Sequence, residues 1–194
     1  MACGGQSRVK AILFDLGGTL IETDEVPDIL QRILQARGVR RPRGVIAHAW
    51  NEVRRWMDIR KLPVLRERFW VEVNLQILRG IHVPGDPAPL AWEIAQRWWE
   101  YANVRLYPEV PEVLGELRSQ GLRLGIVTNG LMSDVEKILP LVRLDGFFDA
   151  IATADVAGVV KPHPAIFKYA LKSLNLRPWE ALFVGDSLEA DYAG

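Results

Sequence analysis

Cysteine is almost absent: Cys3 is the only one in 194 residues, so neither an internal disulfide nor a multi-cysteine metal site can form. A chain of this kind suits a reducing compartment, and the cytoplasm is the expected location. No apolar run approaches the ~20 residues of a membrane-spanning helix, and no charged-then-apolar leader opens the chain. Net charge is missing too. Lys+Arg and Asp+Glu stand at 24 each, so no overall field draws the protein toward nucleic acid or an anionic membrane. Histidine is sparse, and His48, His82 and His163 lack ligand-like spacing. What remains, 49% hydrophobic and 25% charged, is ordinary for a globular chain of one domain, or of one domain with an insert.

The most informative stretch runs from Val9 to Leu20. Four apolar residues, Ala11 to Phe14, predict a short strand buried on both faces, as in a parallel sheet covered by helices. Asp15 then appears abruptly, and Gly17 and Gly18 let the backbone turn sharply and approach a ligand. An acid at the carboxyl end of a buried strand sits where open α/β sheets bind ligands. By itself the stretch is equally a strand ending in a polar turn.

Between Ile21 and Val104 the texture is helical. Ile29, Ile33 and Leu30, Leu34 recur at helical spacing, with Asp24 as N-cap and Gly38 as stop. Further helices are expected over Val45–Arg60, Val64–Gly80 and Ala88–Asn103, separated by Pro63 and by the breakers from Val83 to Pro87. Short connections favour antiparallel neighbours, hence a small bundle. Six of the seven Trp residues fall here, and the spacing of Trp92 and Trp99 on one face predicts that they pack its core. The basic run Arg37 to Arg43 reads as a solvated loop in preference to a phosphate-binding one.

From Tyr107 the α/β pattern returns. A helix over Val110–Ser119 precedes a strand over Leu122–Val127, broken off by Thr128-Asn129-Gly130. A helix over Ser133–Leu139 and a strand over Ala150–Thr153 follow. Lys161 stands alone in a Pro-fixed segment before a helix over Ala165–Leu174, whose first turn Pro164 suits. The last strand, Ala181–Val184, runs into Gly185-Asp186-Ser187, with Asp191 just beyond. Right-handed crossovers keep the carboxyl ends of parallel strands together, so three buried strands ending in Asp15, Thr128 and Asp186 should place those groups along one sheet edge, within reach of Lys161. Carboxylates gathered this closely repel unless a cation joins them. Oxygen donors of this kind suit Mg²⁺, and the Lys, the Thr hydroxyl and the loop amides suit a phosphate.

The four segments, in this order, resemble the motifs of the haloacid dehalogenase-like hydrolase superfamily: Asp15-Leu16-Gly17-Gly18-Thr19, then Thr128, then Lys161-Pro162, then Gly185-Asp186-Ser187-Leu188-Glu189-Ala190-Asp191. The resemblance implies an α/β fold, with a Rossmann-like three-layer core of parallel sheet formed by 1–20 and 105–194 and an inserted helical cap over 21–104. It further implies a Mg²⁺-dependent phosphatase of a small phosphorylated metabolite. Asp15 would be the nucleophile, forming an aspartyl phosphate. Asp15, the carbonyl of Gly17 and Asp186 would hold Mg²⁺, with Asp191 close by. Gly18, Thr128, Asn129 and Lys161 would bind phosphate, with Thr128 and Lys161 also serving the chemistry. No nucleic-acid or membrane partner is expected.

Two departures stand out. Phosphatases of the family carry a second Asp where this chain has Gly17, as acid to the leaving group and base to the water. Its loss leaves open a catalytically weak or inactive relative that binds a phosphorylated ligand or a protein. Phosphonatases and dehalogenases of the superfamily also lack that Asp. The former need a Schiff-base Lys in the cap, where Lys61 is the only Lys, and the intact Asp186–Asp191 stretch speaks against the metal-free latter. Family members also continue past the last motif through a helix and another strand. The end at Gly194 therefore predicts a core cut short, with Ala181–Val184 at an open edge.

Overall fold

The computed structural model describes residues 9–193, so Cys3 lies outside the described residues. Two compact units emerge, one running to Glu22 and resuming at Arg105, the other Thr23–Val104.

The second unit is helical: α1 (Val26–Ala36), α2 (Arg43–Trp56), α3 (Leu62–Leu65), α4 (Glu67–Gly80) and α5 (Ala88–Tyr101). Helix α4 packs on α5, α1 on α2 and α5, and α2 on α4. Aliphatic side chains fill the interior, among them Ile29, Leu30, Ile33, Ile46, Ile77 and Ile94, all at most 1% exposed. The Trp residues do not form this core, contrary to expectation. Trp56 and Trp92 are exposed and the other four are only half-buried. Helical spacing puts Trp residues on one face, but their bulk rarely fits wholly inside a small bundle that Ile and Leu already fill.

Local expectations also change at Asp24 and at the ends of two helices. Asp24 does not cap α1; its carboxylate takes the Arg32 guanidinium at 2.7 Å, and the helix starts after Glu25. The helix from Val45 stops at Trp56, and the one from Val64 is divided at Arg66, whose φ of 51° breaks the spiral. The basic run lies at the surface as expected, with Arg37, Arg40 and Arg43 exposed, and finds its partners within its own unit. Arg41 donates to the carbonyls of Ile81 and His82 at 2.8 and 2.6 Å, Arg43 pairs with Asp28 and Glu25, and Arg37 pairs with Glu93.

The first unit opens with β1 (Ala11–Phe14) and β2 (Ile21–Glu22), and β2 pairs antiparallel with β3 (Arg105–Leu106), a two-residue ribbon too short to show as a pattern. Then come α6 (Val110–Ser119), β4 (Arg123–Thr128), α7 (Met132–Leu141), β5 (Ala150–Thr153), α8 (Ala154–Ala157), α9 (Pro164–Ser173) and β6 (Ala181–Val184). Strands β5, β4, β1 and β6 form a parallel sheet in that order, with Phe14 level with Ile126 and Val184, and Thr128 level with Thr153. This is the α/β, Rossmann-like arrangement the motifs imply. Gly125 has a packing reason: a Cβ there would lie 2.6 Å from Leu13 Cδ2.

Strands β1 and β4 are buried, but β6 is not, which corrects the reading of three buried strands. Ala181 and Phe183 face the core, where Phe183 meets Phe167 of α9 edge-on at 5.1 Å, while Leu182 and Val184 are exposed. Strand β6 lies at the sheet edge, with no further strand beside it among the described residues.

Candidate active site

The parallel sheet delivers the motif residues to one place. Asp15 directly follows β1, its N–H donating to Val184 of β6 at 2.8 Å, so the nucleophile candidate is pinned to the edge strand. Lys161 is the hub. Its ammonium, on a side chain 2% exposed, lies 2.8 Å from Asp15 Oδ1 and 2.6 Å from Asp191 Oδ1, and 5.4 Å from the centre of the Phe183 ring. The same Asp15 oxygen accepts the Leu16 N–H at 2.7 Å. The other Asp15 oxygen carries neither of these partners.

Asp191 reaches the cluster because Leu188–Tyr192 forms one π-helical turn. Ser187 stabilises that turn: its hydroxyl accepts the Ala190 N–H at 3.1 Å, and its own N–H donates to Asp191 Oδ2 at 3.0 Å. Asp186 is exposed. One carboxylate oxygen from each of Asp15, Asp186 and Asp191 can be chosen so that all three lie within 4.8 Å of one another. A single ammonium leaves this cluster of three carboxylates strongly anionic. Burial outweighs the attraction of Lys161 and pushes the Asp15 carboxyl above its ordinary value. Asp191 Oδ1 is buried and accepts no hydrogen bond of good geometry, although the Lys161 ammonium is close. Excess negative charge and an all-oxygen donor set fit a hard divalent cation.

The glycines divide into two kinds. Gly18 has a φ of 81°, and a Cβ there would sit 2.5 Å from Asp186 Oδ2; Gly185 is equally constrained, its Cβ falling 2.3 Å from Asp191 Oδ2. Both leave room for carboxylates. The Gly18 N–H, expected on phosphate, donates to the Ile21 carbonyl at 2.9 Å. Gly17 differs: it is exposed, its φ lies outside the left-handed region, and a Cβ there would meet nothing within 4 Å.

Thr128 is 7% exposed at the end of β4, and its hydroxyl oxygen accepts the Gly130 N–H at 3.2 Å. That bond occupies a lone pair and leaves the hydroxyl proton for a ligand oxygen. The Asn129 side chain, expected on phosphate, is engaged elsewhere: Oδ1 accepts the Lys161 N–H at 2.6 Å and Nδ2 donates to the Lys161 carbonyl at 3.4 Å. One supporting residue escaped the sequence reading. Asp155 Oδ1 accepts the Thr153 hydroxyl at 2.7 Å and the Met132 N–H at 3.0 Å, tying the start of α7 to the end of β5. The available signal was an acid just past a buried strand.

Known proteins point the same way. The model of the haloacid dehalogenase-like hydrolases matches residues 9–194. The chain belongs to this family. It is 36% identical over 189 residues to the glyceraldehyde 3-phosphate phosphatase of Pyrococcus abyssi, spanning 96% of this chain and 76% of that one. It is 44% identical over 189 residues to the pyrophosphatase PpaX of Bacillus mycoides, spanning 93% of this chain and 76% of that one. In fold it resembles the HAD-hydrolase YfnB of Bacillus subtilis, solved bound to magnesium, with a TM-score of 0.76 at 21% identity over 96% of this chain and 86% of that one.

Proposed function

We propose that the chain is a Mg²⁺-dependent phosphatase of a small phosphorylated metabolite, with Asp15 as nucleophile and the helical unit Thr23–Val104 as its cap. The observation that carries this reading is the buried Lys161 ammonium held between Asp15 and Asp191 beside Asp186. Family relatives named for glyceraldehyde 3-phosphate and for pyrophosphate support a phosphorylated substrate.

Lys161 and the Leu16 N–H hold one Asp15 oxygen, which leaves the other for attack on phosphorus. The P–O bond to the leaving group breaks as the Asp15 O–P bond forms, and water then releases inorganic phosphate and regenerates the carboxylate. The Thr128 hydroxyl donates to a phosphoryl oxygen, and Lys161 balances its charge. Asp15, the Gly17 carbonyl and Asp186 would hold Mg²⁺ with Asp191 beside them, and the ion, when bound, offsets charge on the phosphoryl oxygens. Nothing at Gly17 protonates the leaving group, so substrates with good leaving groups turn over fastest.

A metabolite screen tests this reading. Phosphate release is expected with Mg²⁺, is lost in EDTA, and returns when Mg²⁺ is restored. Tight binding of phosphorylated ligands without turnover would favour a non-catalytic relative, the reading Gly17 supports. Full activity in EDTA would favour dehalogenase-type chemistry. A phosphonatase is less well supported, because Lys61 is exposed in a short 3₁₀ turn, where nothing desolvates its amine for a Schiff base.

Gly18→Ala separates the metal from the phosphate. The new methyl group collides with the Asp186 carboxylate, and the left-handed φ adds strain of about 1 kcal/mol. The Mg²⁺ concentration for half-maximal activity should rise about tenfold or more, the loss typical of a disturbed metal environment. Titrating Mg²⁺ at saturating substrate measures it; an unchanged midpoint would remove Asp186 from the metal site.

A further inference from the structure

We propose that Asn129 is a positioning residue whose side-chain amide grips the backbone of Lys161 and thereby holds the ammonium between Asp15 and Asp191. The proposal rests on the reading of Lys161 as the cation that serves the phosphoryl group.

Lys161 belongs to no helix or strand; it follows α8 and Gly158 and precedes α9. Its peptide is therefore without a sheet ladder, and Asn129 stands in for one. Oδ1 accepts the Lys161 N–H at 2.6 Å, and Nδ2 donates to the Lys161 carbonyl at 3.4 Å. Two bonds to one residue restrain both the position and the rotation of its backbone, as neighbouring strands do for each other. A Lys side chain has four rotatable bonds, so a small backbone shift at its base moves the ammonium substantially. Here the ammonium has little latitude, being 2% exposed and within 2.8 Å of two carboxylates.

Asn129 also follows Thr128, in the turn between β4 and α7. A single side chain thus fixes the spacing between the segment bearing the Thr128 hydroxyl and the segment bearing Lys161. The opposite end of that turn is tied down independently, by the Gly130 carbonyl accepting the Ala154 N–H at 3.1 Å and by Asp155 on the Met132 N–H.

The decisive experiment is a double-mutant cycle with a chemical readout beside it. Asn129→Ala should lower kcat about tenfold to a hundredfold with KM shifted far less, whereas in a Lys161→Ala background the same substitution should change kcat by less than about twofold. Equal losses in both backgrounds, or a raised KM at unchanged kcat, would make Asn129 a substrate ligand and overturn the proposal. The second readout needs no activity. Metal-free protein is treated with an amine-modifying reagent, and Lys161 is followed by peptide mass spectrometry while circular dichroism reports the fold. Lys161 should resist modification in the parent chain and in Asn129→Asp, which keeps the Oδ1 acceptor, and should react in Asn129→Ala. Should Asn129→Ala not fold, Asn129→Ser replaces it, with a hydroxyl too short to span the gap. Equal protection of Lys161 in parent and variant would overturn the proposal whether or not the parent hydrolyses a phosphate ester, so failure of the phosphatase reading remains a separate result.

Discussion

Asp15→Asn is expected to abolish turnover, with a fall in kcat on the order of 10⁴-fold or more, as when other enzymes lose a nucleophile. The amide has the shape of the carboxylate but cannot attack phosphorus. Fold and much of the phosphate binding should persist, since Thr128 and Lys161 remain and Lys161 keeps Asp191 as its partner. The same variant carries a stability signature. In the native chain the Asp15 carboxyl titrates above its ordinary 3.8, because burial outweighs Lys161. A carboxyl raised on folding contributes stability below its unfolded value and loses it as pH rises through its folded value. At neutral pH without divalent cation the ionised Asp15 is therefore a net cost, and Asp15→Asn should melt at a higher temperature than the parent. Below about pH 3.8 the difference should vanish, both side chains then being neutral. Thermal melts across pH in EDTA, beside steady-state assays, measure both effects. Near-normal activity would remove Asp15 from the chemistry, and a lower neutral melting point would mean that the Lys161 pair outweighs burial.

Gly17→Asp is expected to raise activity. The backbone accepts it: the φ of Gly17 is outside the left-handed region, and a Cβ there meets nothing within 4 Å, so neither strain nor collision opposes the side chain. Gly18, with its φ of 81° and Asp186 against its Cα, shows what a disallowed neighbour looks like. A carboxyl two residues after the nucleophile supplies the proton that an alkoxide leaving group needs and later a base for water. For sugar and alcohol phosphates the gain should reach a good part of the roughly 10²–10⁴ of general acid–base catalysis. For acyl or aryl phosphates, whose leaving groups depart without help, it should be small. The ratio of the two gains, from kcat/KM on paired substrates, is the informative number. A folded variant with no selective gain on alkyl phosphates would mean that another acid already serves, or that the pocket does not take monoesters.

Much of this site was legible because its residues follow strands with strong local signals. Apolar runs ending in Asp15 and Thr128 mark β1 and β4, and parallel topology alone brings their carboxyl ends together. Strand β6 was misjudged as buried because apolar residues on both faces look the same in sequence whether or not anything covers them; the exposure of Leu182 and Val184 depends on the neighbours of β6. The Trp residues failed for a related reason: helical spacing assigns a face but not the room left on it. The Asn129 clamp joins residues 32 apart, neither of them in a helix or strand, and no local pattern encodes such a contact. The Ile21–Glu22 and Arg105–Leu106 pair, with two residues a side, is below the length at which alternation can be recognised.

On the proposed mechanism Asp15 carries the phosphoryl group covalently, and the absence of an acid/base side chain at Gly17 makes that covalent state observable. A good leaving group lets the first step proceed, while the water that should clear the enzyme lacks a base, so the intermediate should accumulate. The chain is mixed with an acyl or aryl phosphate and Mg²⁺, quenched during turnover, reduced with borohydride and digested. Mass spectrometry should find homoserine in place of aspartate at position 15, the product of reducing an aspartyl phosphate, and unmodified aspartate at positions 186 and 191. Phosphate release at full rate with Asp15 unreduced, or reduction at another carboxylate, would contradict it.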